Sequence, residues 1–230
     1  NPLAVIWPKK MGKRIDWRNW CLGIAMALLV IGAPSLYHRY RLTTWKRLRV
    51  VVPARLYRSG QMTASGFEDA IRRLGIRTVV NVQNEFPDPM LRQSFLNPTK
   101  VSEKDLCERL GVRYIHLEPD LVPLKFTPQR QPRVIEAFLK LMDEEQNYPI
   151  LIHCKAGLHR TGVLVALYRR EYQSWSALRA LDELKENGFG DDAATSANLY
   201  VSQYILDYCP RSKSERNEPN PHDALVQEAR

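Results

Sequence analysis

Cysteine is scarce in this chain, with Cys21, Cys107, Cys154 and Cys209 the only four in 230 residues. So few cannot build a disulfide scaffold, and neither they nor the five histidines fall at metal-ligand spacing. No metal and no cofactor is expected. Acidic residues are nearly missing from the N-terminal arm: residues 1–50 carry ten Lys/Arg against one acid, whereas residues 51–230 carry 24 of each sign. The basic character therefore belongs to the arm, and the folded part offers no electrostatic argument for nucleic acid. No internal repeat is visible, which excludes a solenoid. With 44% hydrophobic side chains, the chain can bury one good core but not two, and a monomer is expected.

Charge is also missing from residues 20–37, a run of 18. At about 1.5 Å per residue it spans roughly 27 Å, enough for a hydrocarbon core. Trp17 and Trp20 on one side and Tyr37 and Tyr40 on the other sit like interfacial anchors. The expectation is a basic arm at 1–19, one transmembrane helix at 20–37 and a basic linker at 38–47. A cleaved secretory signal is the competing reading, because Ala33-Pro34-Ser35 is a passable cleavage site; it would place the rest outside the cytoplasm. Lys9, Lys10, Lys13, Arg14 and Arg18 precede the run, and Arg39, Arg41, Lys46, Arg47 and Arg49 follow it, so flanking charge does not choose an orientation. The chain opens on Asn1 rather than Met, and a few residues are expected to precede it.

What is present is the stretch His153-Cys154-Lys155-Ala156-Gly157-Leu158-His159-Arg160-Thr161-Gly162. The apolar run Pro149-Ile150-Leu151-Ile152 before it reads as a buried strand, and Val163 to Tyr168 after it as a helix. A loop whose N–H groups converge at a helix N-terminus cradles a phosphate dianion. Arg160 can clamp two oxygens and favour the more charged transition state. Such a bowl favours the thiolate of Cys154, a competent nucleophile at neutral pH. Thr161 can donate its hydroxyl to that sulfur. A reactive thiolate works best in a reducing compartment, which favours a single-pass membrane protein with its folded domain in the cytoplasm. A disulfide from Cys107 or Cys209 to Cys154 is the lesser reading, packed or free thiols the better.

The run resembles the His-Cys-x5-Arg-Thr/Ser loop of the cysteine-dependent protein tyrosine and dual-specificity phosphatases. Leu56 to Gln61 and Gly75 to Val82 also resemble the opening of the compact dual-specificity-like enzymes of bacteria, plants and fungi, so the likeness covers about residues 48–208. It implies an α/β fold, a mainly parallel central sheet flanked by helices, phosphotyrosine-phosphatase-like, preceded by the transmembrane helix. It implies that Cys154 attacks phosphorus, with Lys155, Ala156, Gly157, Leu158, His159 and Arg160 holding the substrate and His153 supporting the thiol. The general acid of the family is an aspartate on a loop some thirty-odd residues before the cysteine. Asp120, 34 positions before Cys154, is the first choice and Glu118 the second.

Local signals place the elements. Leu48 to Val52 and Leu56 to Arg58 read as strands; Thr63 or Ser65 caps a helix stopped by Gly75; Ile76 to Val82 is a strand. Residues 85–101, with Pro87, Pro89 and Pro98, read as a surface loop. Ser102 caps a helix ending at Gly111, Val112 to Leu117 is a strand, and helix-compatible sequence runs from Thr127-Pro128 to Gln146. Helices near 161–173, 176–187 and 195–208 close a domain at 48–209, and 210–230 reads as a disordered polar tail. Arg58 and Gln61 read as surface polar residues first and as neighbours of the phosphate loop second, and Tyr168 and Trp175 as core or rim aromatics.

The expected function is hydrolysis of phosphate monoesters on phosphotyrosine or phosphoserine/threonine proteins. The alternative substrate is a phosphoinositide or inositol polyphosphate: Lys155 and His159 add cations to the rim, and the loop is similar to phosphoinositide phosphatases and to plant and fungal inositol pyrophosphate phosphatases. The alternative of another class is a catalytically silent phosphate-binding adaptor.

Overall fold

The computed structural model describes residues 17–84, 90–121, 131–191 and 200–211. The chain divides into two compact units, Asn1–Tyr40 and Arg41–Arg230. The first is dominated by helix α1, Trp17–Thr44, whose 28 residues are long and apolar enough to cross a membrane by length and composition. Its large apolar side chains, among them Leu22, Leu29 and Ile31, are exposed. A π-helical turn, Leu28–Gly32, interrupts it. The expected span at 20–37 lies within this helix.

In the second unit, strands β1 (Arg49–Val52), β2 (Leu56–Gly60), β3 (Thr78–Asn81), β6 (Arg113–His116) and β7 (Ile150–Cys154) form one sheet in the order β1-β2-β7-β3-β6. Every pairing is parallel except the edge pair β1 and β2, so the sheet is mixed rather than purely parallel. Helices α2 (Ala64–Leu74) and α3 (Glu103–Arg109) cover one face; α4 (Arg133–Asp143), α5 (Arg160–Gln173), α6 (Ala177–Glu186) and α7 (Val201–Asp207) cover the other. The boundaries of α2 follow its chemistry. Thr63 Oγ1 accepts the Gly66 N–H at 3.2 Å at the start, and Gly75, at φ +62°, takes the left-handed turn at the end.

Strand alternation positions the site. In β7, Ile150, Ile152 and Cys154 join the core beneath α4 to α7, while Leu151 joins the opposite core with Phe67 and Leu106. His153 follows Leu151's parity and packs edge-on against Phe67, ring centroids 4.9 Å apart. One strand thus delivers the cysteine to one face and its histidine neighbour to the other.

Four expectations need correction. The region 85–101 is not all loop: Met90–Arg92 and Lys100–Ser102 form a two-stranded hairpin, β4 and β5, too short to show an alternating pattern. Residues 85–89 lie outside the described residues. Of the linker expected at 38–47, residues 41–47 belong to the second unit, where Thr44 is buried and a Cβ at Gly66 would lie 1.8 Å from its carbonyl oxygen. Helix-compatible sequence to Gln146 breaks after Asp143 into a short 3₁₀ turn, Glu145–Asn147. The first two residues of the expected tail, Pro210 and Arg211, are described, and Arg211 binds the Glu171 and Asp143 carboxylates at 2.9 and 2.8 Å. The rest of that tail, 212–230, lies outside the described residues.

Candidate active site

Cys154 ends β7, and α5 begins six residues later at Arg160. The thiol is 3% exposed and its Sγ accepts the Gly157 N–H at 3.2 Å. The first turn of α5 has no side-chain cap, so its N–H groups and the positive end of a 14-residue helix face the loop. Gly157 sits at φ +75°, and a Cβ there would fall 2.5 Å from Gly60 N and 2.6 Å from Ser59 O. Only glycine satisfies both demands, which is why the loop can press against the end of β2.

Three cations hold this loop and the end of β2 against it. Arg58 is buried at 4% exposure rather than on the surface, and its Nη2 donates to the Gly157 carbonyl at 2.8 Å. Burial pushes its guanidinium down to about 10, partly opposed by Glu183. Arg47 Nη1 donates to the Ala156 carbonyl at 3.0 Å. The Lys46 carbonyl accepts the Gly60 N–H at 2.7 Å, and its side chain packs over that glycine. Burial lowers the Lys46 ammonium, with Arg47 adding repulsion and Cys154 pulling the other way. The second sequence reading of Arg58, beside the phosphate loop, is the one the structure bears out; Lys46 and Arg47 carried no signal beyond their charge.

The expected residues fall into distinct environments. Lys155 is exposed, Ala156 and Arg160 are half-buried, and Leu158 turns inward. His159 is not a rim cation. Its ring packs 6.1 Å from both Phe189 and Tyr200, and burial, reinforced by Arg160, pushes its imidazole down to about 4. Thr161 is wholly buried, and its Oγ1 makes no hydrogen bond to any described residue, Cys154 included. His153 Nε2 meets Glu103 Oε1 at 2.5 Å on the far face of the sheet. Glu103 escaped sequence reasoning.

Asp120 and Glu118 lie after β6, in a recess lined also by His116, Pro119 and Arg133. Both Asp120 oxygens are engaged, accepting the N–H groups of Arg133 at 2.8 Å and Val134 at 3.1 Å. The carboxylate thus caps the start of α4. Among the described residues, no hydrogen bond or ion pair joins either acid to the Cys154 loop. Cys107 is buried and Cys209 exposed, and no disulfide joins any of the four cysteines.

Comparison with known proteins agrees with this geometry. The chain is 41% identical over 69 residues to the dual specificity protein phosphatase TpbA of Pseudomonas aeruginosa, covering 30% of this chain and 32% of that one. It is 32% identical over 132 residues to the inositol diphosphatase DSP3 of Arabidopsis thaliana, covering 57% and 58%. The chain thus spans between about a third and three fifths of these relatives' lengths. The core catalytic domain of the PP-IP phosphatase SIW14 from S. cerevisiae shares the fold, with a TM-score of 0.52 at 18% identity over 81% of this chain and 94% of that one. The model of the tyrosine phosphatase family matches residues 46–226, from the Lys46 that packs over Gly60 to beyond α7, and the chain belongs to that family.

Proposed function

We propose that the chain is a membrane-anchored cysteine phosphatase that hydrolyses phosphate monoesters through a phosphocysteine intermediate. One observation carries the reading: a buried Cys154 Sγ accepts the Gly157 N–H at the floor of a loop that ends in Arg160 and the uncapped start of α5. In the first step a P–S bond forms as the ester P–O bond breaks, and the leaving oxygen takes a proton from Asp120. Asp120 must exchange the N–H groups of Arg133 and Val134 for that oxygen. In the second step water gives its proton back to Asp120 and attacks phosphorus; the P–S bond breaks, releasing phosphate and the thiolate. Arg160 and the loop N–H groups stabilise the charge in both steps.

The 28-residue apolar helix supports the anchor, and the need for a reduced thiol supports a cytoplasmic domain. A phosphoprotein is the first substrate reading. A phosphorylated inositol is the second, supported by the exposed Lys155 beside Cys154, and the relatives divide the same way, TpbA being a dual specificity protein phosphatase and DSP3 an inositol diphosphatase.

Hydrolysis of p-nitrophenyl phosphate with and without EDTA tests the chemistry. The expected result is turnover unaffected by chelation and reduced at least about a thousandfold in Cys154→Ser. Full activity in that variant would remove the covalent step, and binding without turnover by the intact chain would favour the silent adaptor. Protease protection of the membrane-inserted chain tests the orientation.

A further inference from the structure

Between the catalytic loop and the β4–β5 hairpin lies a groove of about 270 Å³. Arg92 and Lys100 of the hairpin and Lys155 of the loop line it with Thr43, Gln61, Thr63 and the methionines Met62 and Met90, and no carboxylate does so among the described residues. Arg92 and Lys100 are register partners across the hairpin. Leu91, next to Arg92 in β4, points into the core at 1% exposure, so Arg92, and its partner with it, project to the opposite face. Two like charges placed directly opposite each other weaken a hairpin. Neither finds a carboxylate among the described residues, and Arg92 makes only a long contact of 3.5 Å to the Phe95 carbonyl. An anion between them would turn that repulsion into attraction.

Both walls are fixed. The Ser65 N–H donates to the Gln93 carbonyl at 3.0 Å, tying the hairpin to the start of α2, and the Gln61 N–H donates to the Lys155 carbonyl at 3.2 Å, tying β2 to the loop. Lys155 lines the groove and follows Cys154 directly in the chain, so the groove shares one residue with the catalytic loop.

We propose that Arg92, Lys100 and Lys155 form a subsite for a second phosphate group on the substrate, whose first phosphate sits over Cys154. This rests on the phosphatase reading above and refines its substrate. The occupant is a compact polyphosphorylated ring, an inositol phosphate free in solution or as a lipid headgroup. The groove's volume admits one or two phosphates and part of a ring.

The test uses the full chain in detergent and compares it with the Arg92→Gln/Lys100→Gln double variant on four substrates: p-nitrophenyl phosphate, a singly phosphorylated tyrosine peptide, myo-inositol hexakisphosphate, and phosphatidylinositol 4,5-bisphosphate in phosphatidylcholine vesicles. The expected result is a fall of about 10- to 100-fold in kcat/KM for one or both inositol substrates, mostly through KM, with the other two within about twofold. Which inositol arm falls identifies the free or the lipid form. An equal fall on all four, a fall on the peptide as large as on the inositol substrates, or no fall overturns the subsite. Failure of the intact chain to hydrolyse p-nitrophenyl phosphate would instead overturn the phosphatase reading. In that case, or if neither inositol substrate turns over, calorimetric binding of myo-inositol hexakisphosphate to Cys154→Ser decides: weakening by the double substitution supports the subsite, and unchanged binding removes it.

Discussion

His153 Nε2 lies 2.5 Å from Glu103 Oε1, and both side chains are wholly buried. The pair joins the residue before the nucleophile to the first turn of α3, where Ser102 caps the helix. Removing one partner leaves the other desolvated and unpaired, which costs far more than the pair contributes. Glu103→Ala is expected to lose about 3 kcal/mol in urea unfolding, and Glu103→Gln, which keeps an acceptor, distinctly less. A loss under about 1 kcal/mol in the alanine variant would mean that water replaces the carboxylate.

Arg47 sits at φ +52°, an uncommon conformation for a residue with a Cβ, and spends its side chain on the Ala156 carbonyl. Substitution by glycine relieves the backbone while removing the bond to the loop. Arg47→Gly is therefore expected to hold or raise the melting temperature relative to Arg47→Ala, while both lose about tenfold in kcat/KM on p-nitrophenyl phosphate. Full activity in both would show that the loop keeps its shape without Arg47.

How much of this was legible in sequence depended on distance along the chain. Thr63 and Gly75 announce the ends of α2 because caps are local, and the strand-loop-helix around Cys154 is written in a dozen consecutive residues. Glu103 was invisible because it meets His153 across 50 positions, brought there by α3 packing on the far face. Arg58 read as surface because it is charged, although β2 has no exposed position at all. The β4–β5 hairpin, three residues per strand, falls below the length at which alternation speaks. His159 shows a further limit: its place in the loop was evident, but not that the ring would turn toward Phe189 and Tyr200.

Asp120 carries two roles that a leaving-group series separates. As the cap of α4 it holds two backbone N–H groups, and Asp120→Asn, which keeps an acceptor but loses the charge at the helix start, is expected to cost about 1 kcal/mol. As the acid it protonates the leaving oxygen, a need that grows as that oxygen becomes more basic. Asp120→Asn is expected to slow an alkyl phosphate at least about tenfold more than p-nitrophenyl phosphate. An equal effect on the two would confine Asp120 to capping and transfer the acid role to Glu118.

The buried imidazole of His159 makes a prediction in pH. Its folded value of about 4 lies below the ordinary 6.5, so between these values the unfolded chain binds a proton that the folded one refuses. Stability from this position is fully present above about pH 6.5 and is lost as the pH falls toward 4. From pH 7 to pH 5 the loss is about 1 to 2 kcal/mol once partial exposure is allowed for. His159→Phe preserves an aromatic ring against Phe189 and Tyr200 and removes the titration. The melting temperature of the unsubstituted chain should therefore fall roughly 2–6 °C more than that of the variant over this range. Parallel curves would show that the imidazole is solvated in the fold, and would restore His159 to the rim as a cation at acidic pH.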